Sequence, residues 1–214
     1  MKSFVITIIE NEKSVNVANR CIRSASNFGL KVEKFKAITP ADNPELIFTA
    51  LGLPTRLFKD QYSRYLNVLS CFLSHYHLWL KCIELEQPII IFEHDAVVVN
   101  EIPVNKPFDR LLSLGKPSYG NFKIAPKLGV NNLFSKKYLP GAHAYMLKPT
   151  GAKLLIAAAQ SLARPADVFL NIETFPWLEE YYPWPVEVRD TFTTVQSTGG
   201  VFAKHSYSEN YEII

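Results

Sequence analysis

From about Tyr62 to Glu86 the sequence carries two apolar stripes side by side. Leu66, Leu69, Leu73, Tyr76, Leu80 and Ile83 recur at heptad spacing, and Val68, Phe72, His75, Trp79 and Cys82 form a second stripe next to them. A helix apolar over that much of its girth needs cover on most sides. Pro88 stops it, and the apolar run Ile89–Phe92 follows directly, before Glu93-His94-Asp95. A run so short and so rich in β-branched residues reads as a buried strand. A buried helix feeding a buried strand demands a layered α/β domain.

The N-terminus points the same way. Phe4–Ile9 reads as a first strand, Ser14–Phe28 as a helix stopped at Gly29, and Val32–Ile38 as a second strand. A β-α-β opening argues for a parallel sheet with helices packed on it. The first run has only Lys2 before it and lacks a small-residue cleavage site, so it reads as a strand rather than a signal peptide. Thr39–Pro44 is turn chemistry, and Pro103–Leu139 reads as loop-rich. Ala142–Leu147 reads as a strand, Pro149 as the first residue of a helix reaching about Ala163, and Val186–Arg189 as a last strand. Gly199-Gly200 marks a break before the tail. The length of 214 residues suits one domain, and no apolar stretch reaches the ~18 residues of a spanning helix.

Three cysteines leave at least one unpaired. Cys71 and Cys82 on one helix would stand ~16 Å apart, too far to bridge. Free thiols imply a reducing compartment, and the expectation is a soluble, cytoplasmic protein. Charge is strongly segregated. Nine Lys or Arg (Arg110, Lys116, Lys123, Lys127, Lys136, Lys137, Lys148, Lys153 and Arg164) fall in a stretch without Asp or Glu, while the rest carries 14 basic and 20 acidic residues. Such a segment either forms a solvated face or attracts phosphates.

In open α/β sheets ligands bind beyond the carboxyl ends of the strands, which is where Glu93-His94-Asp95 falls. Two carboxylates one residue apart can converge on a hard cation that prefers oxygen ligands, with His94 as a third ligand or facing outward. The alternative is a solvated acidic loop. Carboxylates for a metal together with Lys/Arg for phosphates would suit a metal–diphosphate ligand.

Several pieces, in order, resemble glycosyltransferase family 25. They are Ser70-Cys71-Phe72-Leu73-Ser74-His75, Trp79, Pro88–Phe92 with Glu93-His94-Asp95, Gly141–Tyr145 leading to Gly151–Leu155, and Pro165–Leu170. The strand Val5–Ile8 and the run Phe35–Ile38 fit the family's opening. Two positions depart from its pattern: Ser70 stands for the usual Gly, and His94 for the middle acid of an acidic triplet.

The resemblance implies a GT-A-like, Rossmann-like α/β fold with a mostly parallel sheet, formed by one domain over residues 1–214. Residues 1–100 would form the nucleotide-sugar half and 101–214 the acceptor half. It further implies a nucleotide-sugar donor (a UDP-sugar), a divalent cation (Mn2+ or Mg2+) and transfer with inversion. Asp95 is the first metal ligand and Glu93 the second, or a ribose or metal-water contact, while His205 in the tail is a further ligand by analogy with tails that close over the metal. Asp167 ranks first as general base, with an N-cap as the competing role, and His143 and Glu173 stand behind it. Ser74, His75, Lys153 and, by family position, Thr7 are donor-binding candidates, although His75 on an apolar stripe also suits a satisfied core histidine. The run Tyr181-Tyr182-Pro183-Trp184 would stack on an acceptor or pack an edge. The acceptor is a lipopolysaccharide or other glycan or glycolipid. The basic segment keeps hydroxymethylated bases in DNA as an alternative, and His94 keeps a catalytically inactive nucleotide-sugar-binding protein.

Overall fold

The computed structural model describes residues 1–59, 63–189 and 192–196, and the backbone of Glu212–Ile213. In chain order its elements begin with β1 (Lys2–Thr7), α1 (Glu12–Ser26), β2 (Glu33–Lys36), a 3-10 turn at Pro40–Asp42, α2 (Pro44–Ala50) and α3 (Tyr65–Glu84). Next come β3 (Ile89–Glu93), β4 (Ala96–Val98), β5 (Leu111–Ser113), β6 (Gly129–Asn132), β7 (Ala144–Leu147), α4 (Pro149–Leu162) and α5 (Ala166–Phe169). The chain continues with β8 (Leu178–Tyr182), β9 (Val186–Val188), β10 (Phe192–Thr193) and β11 (Glu212–Ile213).

Seven strands form one sheet in the order β2-β1-β3-β7-β5-β8-β6. β1 is parallel to β2 and β3, and β5 is parallel to β8. β7 runs against both β3 and β5, and β6 runs against β8. Five of the seven strands therefore point the same way, and the α/β architecture is the mostly parallel, helix-flanked one expected. Strands β4 and β9 form a small antiparallel pair beside it.

β3 is buried on both faces, and its side chains alternate between two cores. Ile89 and Ile91 pack with the helices α2 to α5, in a cluster holding Phe48, Phe72, Trp79, Leu155 and Phe169. Ile90 and Phe92 pack with Ala18, Cys21 and Ala25 of α1 and with Val98 and Val186 of the β4–β9 pair. Burial on both sides is why no polar residue interrupts this strand. Helix α1 is capped by Asn11, whose side chain accepts from the Ser14 amide. It ends before Gly29, whose φ of 74° only glycine takes without strain.

Some expectations shift. α3 begins at Tyr65; Tyr62 and Gly199-Gly200 lie outside the described residues. Pro103–Leu139 contains β5 and β6, which at three and four residues are too short to show a period. α2 follows the Thr39–Pro44 turn unannounced. Asp167 is not an N-cap: Pro165 takes that position, and Asp167 sits in the first turn of a four-residue helix. All three cysteines are free. Among the described residues no helix is long and apolar enough to cross a membrane.

Phe72 anchors the helical core, with the rings of Phe48, Phe58, Tyr76, Trp79 and Phe169 centred 5.4–6.2 Å away. Phe72→Ala should therefore cost ~3–5 kcal/mol, read as a lower midpoint in urea unfolding with an unchanged slope.

Candidate active site

A cleft of about 440 Å³ opens beyond the carboxyl ends of β1 and β3. Its walls come from Ile6 and Ile8, the segment 37–40, the first turns of α3, Glu93-His94-Asp95, Tyr119, His143, the turn 165–167 and the segment 192–196. The alternation of β3 decides what its last residues meet. Glu93 shares the face of Ile89 and Ile91, so it turns toward α3, whereas the next residue, His94, turns toward α1.

On the α3 side a buried chain of hydrogen bonds holds Glu93. The Trp79 indole donates to the Tyr145 oxygen at 2.9 Å, and Tyr145 lies 2.9 Å from His75 Nδ1. Indole can only donate, so the Tyr145 hydroxyl is directed at Nδ1 and His75 carries its proton on Nε2. Nε2 then donates to Glu93 Oε1 at 3.0 Å. Burial keeps the His75 ring neutral, lowering its pKa to about 4. The Cys71 thiol reaches the same Glu93 oxygen at 3.9 Å. Cys71, His75 and Glu93 place their donor atoms within 4.8 Å of one another, but the thiol and the imidazole both direct protons at Oε1, which leaves Oε2 to face the cleft. His75 is thus both a core histidine and the residue that orients Glu93.

On the α1 side, Ser14 Oγ accepts from the Ile8 amide at 3.0 Å and lies 2.6 Å from His94 Nδ1. Whichever tautomer the ring takes, this nitrogen is engaged by Ser14. Burial and the charge of Arg20 hold the His94 ring neutral, at about 4. His94 is a clamp between the acidic tripeptide and the N-terminus of α1. Asp95 lines the cleft, and its carbonyl accepts from Arg20 at 3.3 Å.

Asp167 faces these groups from the opposite wall. Its Oδ2 accepts from the Tyr119 hydroxyl at 2.5 Å and its Oδ1 from the Val168 amide at 2.9 Å. Burial first, then the charge of Asp167, pushes the Tyr119 hydroxyl far above its ordinary range, so it stays a donor. His143 is buried in the same wall, its ring packed so closely on Gly115 that a Cβ there would lie 2.3 Å from Nε2. Ser74 also lines the cleft, but its hydroxyl is engaged: it accepts from the Ile38 amide and donates to the Ser70 carbonyl.

Other expected residues are not brought to this cleft. Thr7 is fully buried, and its hydroxyl donates to the Val5 carbonyl. Lys153 is exposed on α4 and does not line the cleft. Glu173 is exposed and pairs with Lys137. His205 lies outside the described residues. Tyr182, Trp184 and Phe122 pack edge to face along the β8 end of the sheet. Tyr119 was missed, because it lies in the loop-rich stretch and reaches its partner across 48 positions.

The electrostatics also depart from expectation. Glu93, Asp95 and Asp167 line the cleft, but no Lys or Arg does among the described residues. Glu93 is pushed up to about 8, by burial first and then by the charge of Asp167. Carboxylates at a strand end are the oxygen ligands that a hard divalent cation prefers. The positive residues expected to cradle a diphosphate here sit elsewhere.

Residues 1–113 match the family described as glycosyltransferase family 25, lipopolysaccharide biosynthesis protein, which is more than half of the chain. The chain belongs to glycosyltransferase family 25. Among solved structures it is similar to a mutant of the Drosophila β-1,4-galactosyltransferase 7 in complex with manganese, UDP-Gal and xylobiose. The identity is 7% and the TM-score 0.36, over 72% of this chain and 52% of that one. The chain thus spans about half the length of that structure, a likeness too distant to bear on any residue. No curated protein matches it.

Both departures from the family-25 pattern have local partners. Ser70 donates to the Leu66 carbonyl one turn back, and His94 holds Ser14. The buried histidines set an acid limit on stability. The unfolded chain binds protons at 6.5 where the folded one waits until about 4, so stability falls as pH drops through that window. Glu93 acts in the opposite sense, lowering stability as pH rises from 4.5 to about 8. Urea unfolding should give a stability maximum at about pH 6–7. His94→Gln should flatten the acid limb and leave the alkaline one.

Proposed function

We propose that this family-25 chain transfers a sugar from a UDP-sugar donor to a hydroxyl of a glycan acceptor of the lipopolysaccharide type, with inversion at the anomeric carbon. The observation that carries the reading is the acidic cleft at the strand ends. A diphosphate entering beside these acidic groups calls for a counter-charge, so a divalent cation, Mn2+ or Mg2+, would be held by Asp95 and the second oxygen of Glu93, which loses its proton as the cation binds. When bound, that cation supplies positive charge to the leaving diphosphate. Residues 1–100 form the donor side and residues 101–214 the acceptor side.

The chain's own residues do the rest. His75, held by Tyr145 and Trp79, fixes the Glu93 carboxylate from behind. Asp167 stands on the acceptor side with one hydrogen bond on each oxygen, and each oxygen retains a lone pair for a proton. It takes the proton of the acceptor hydroxyl as that oxygen bonds to the anomeric carbon. The bond from this carbon to the diphosphate breaks, and the electron pair leaves with the nucleotide. Tyr119 keeps the Asp167 carboxylate oriented. His143, buried against Gly115, shapes the wall between them.

Asp167→Asn separates this role from a structural one. Asparagine keeps the size and can still accept from Tyr119, so the fold should hold. The turnover number should fall ~10²–10⁴-fold with little change in UDP affinity. Rates within twofold of wild type would remove Asp167 as the base.

A further inference from the structure

The cations missing from the acidic cleft line a second one. A cavity of about 530 Å³ is bounded by Lys123, Lys136, Lys137 and Arg164, with Glu173 the one carboxylate among its described lining. The two clefts share a wall. Pro165 and Asp167 line the acidic one, while Arg164 and Val168 line the basic one. The Lys136 ammonium lies 5.3 Å from the ring centres of both Tyr119 and Tyr138, and Tyr119 is the residue that donates to Asp167.

The basic cleft is built rather than draped on the surface. Glu180 is completely buried, and its Oε1 accepts from the amides of Phe134 and Ser135 at 2.7 Å, fixing the loop that carries Lys136. The Ser135 carbonyl accepts from Lys123, the Lys137 carbonyl from Ile172, and the Leu170 carbonyl from Leu139. Arg164 donates through one terminal nitrogen to Thr174, while its Nε is buried with no hydrogen-bond partner. Arg164 itself lines the cavity, so its guanidinium brings a fixed positive charge to that wall. Lys137 pairs with Glu173, but both side chains are about three-quarters exposed, where such a pair is weak.

We infer that this second cleft binds an anionic substituent, a phosphate or a carboxylate, on the acceptor glycan. The inference rests on the transferase reading above and assigns its acceptor class: a charged sugar rather than a neutral one. The anion sits against Lys136 and Arg164, and the adjoining sugar presents its hydroxyl across the shared wall to Asp167. Four of the nine cations of the basic segment thus serve the acceptor and not the donor diphosphate. A cavity of this size admits one or two sugar units, whereas a duplex would need its cations spread along an open face.

The test uses the intact chain with glucose 6-phosphate, glucose and UDP plus Mn2+ as separate titrants in calorimetry. Glucose 6-phosphate should bind at least about tenfold more tightly than glucose, and inorganic phosphate should compete with it. Lys136→Ala and Arg164→Gln should each weaken glucose 6-phosphate about tenfold or more and leave UDP–Mn2+ binding unchanged. Lys81→Ala, on the far end of α3, should change neither. Lys136 is partly exposed, so its variant tests the site even if the Arg164 variant unfolds. Equal affinity for glucose and its phosphate in wild type, with UDP–Mn2+ bound normally, overturns the inference alone. Failure of UDP–Mn2+ to bind overturns the transferase reading instead. Duplex DNA retained with a log–log salt slope that Lys136→Ala reduces by ~1 would assign these cations to a polyanion and also overturn the inference.

Discussion

Strand β3 sits at the centre of this molecule because both of its faces are covered. Ile89 and Ile91 are held by the α3–α4 side and Ile90 and Phe92 by α1, so a one-residue slip would force each side chain into the other, differently shaped core and turn Glu93 away from α3. That constraint extends to the residues that leave the sheet. Glu93 must go toward α3 and His94 toward α1, which places Asp95 at the mouth between them. Each direction ends on a prepared partner: His75, backed by Tyr145 and Trp79, on one side, and Ser14 on the other. The acidic tripeptide is therefore an extension of core packing, and its geometry is as rigid as the core.

Rigidity at that point has an electrostatic consequence. Three carboxylates converge on a cleft whose described lining offers no cation, and burial then raises Glu93 to about 8. Burial and the neighbouring Asp167 charge thus favour the protonated form of Glu93 until something positive enters. Four positive side chains are kept on the other side of the turn 164–168, where Asp167 faces one cleft and Arg164 and Val168 the other. Part of the charge segregation along the sequence has become charge segregation across a shared wall.

Much of this was legible in the sequence where burial is symmetrical or spacing is local. β3 shows as an unbroken apolar run, α3 as two stripes, and Glu93-His94-Asp95 as what must follow a strand end. Asp167 was singled out from its motif, and it does face Glu93 across the cleft. What could not be read depends on contacts between distant segments. Tyr119 sits in a Pro- and Gly-punctuated stretch and gains its role only by meeting Asp167. β5 and β6 are too short to show a period. The basic segment was visible as charge, but which cleft it serves is set by the topology after β5, not by the count of lysines. Thr7 and Lys153 were placed by family position, and side-chain direction put one inside the sheet's core and the other on an outer helix face.

The electrostatic character of the acidic cleft is open to one direct measurement: calorimetric titration of UDP into the intact chain, with Mn2+ and again in excess chelator. A cleft of carboxylates that admits a diphosphate only through a cation should bind UDP with Mn2+ and lose at least about a hundredfold in affinity without it, since two like-charged groups otherwise meet at close range. UDP bound equally well in chelator would contradict it, and would mean that the diphosphate is neutralised by side chains rather than by a metal at Asp95 and Glu93.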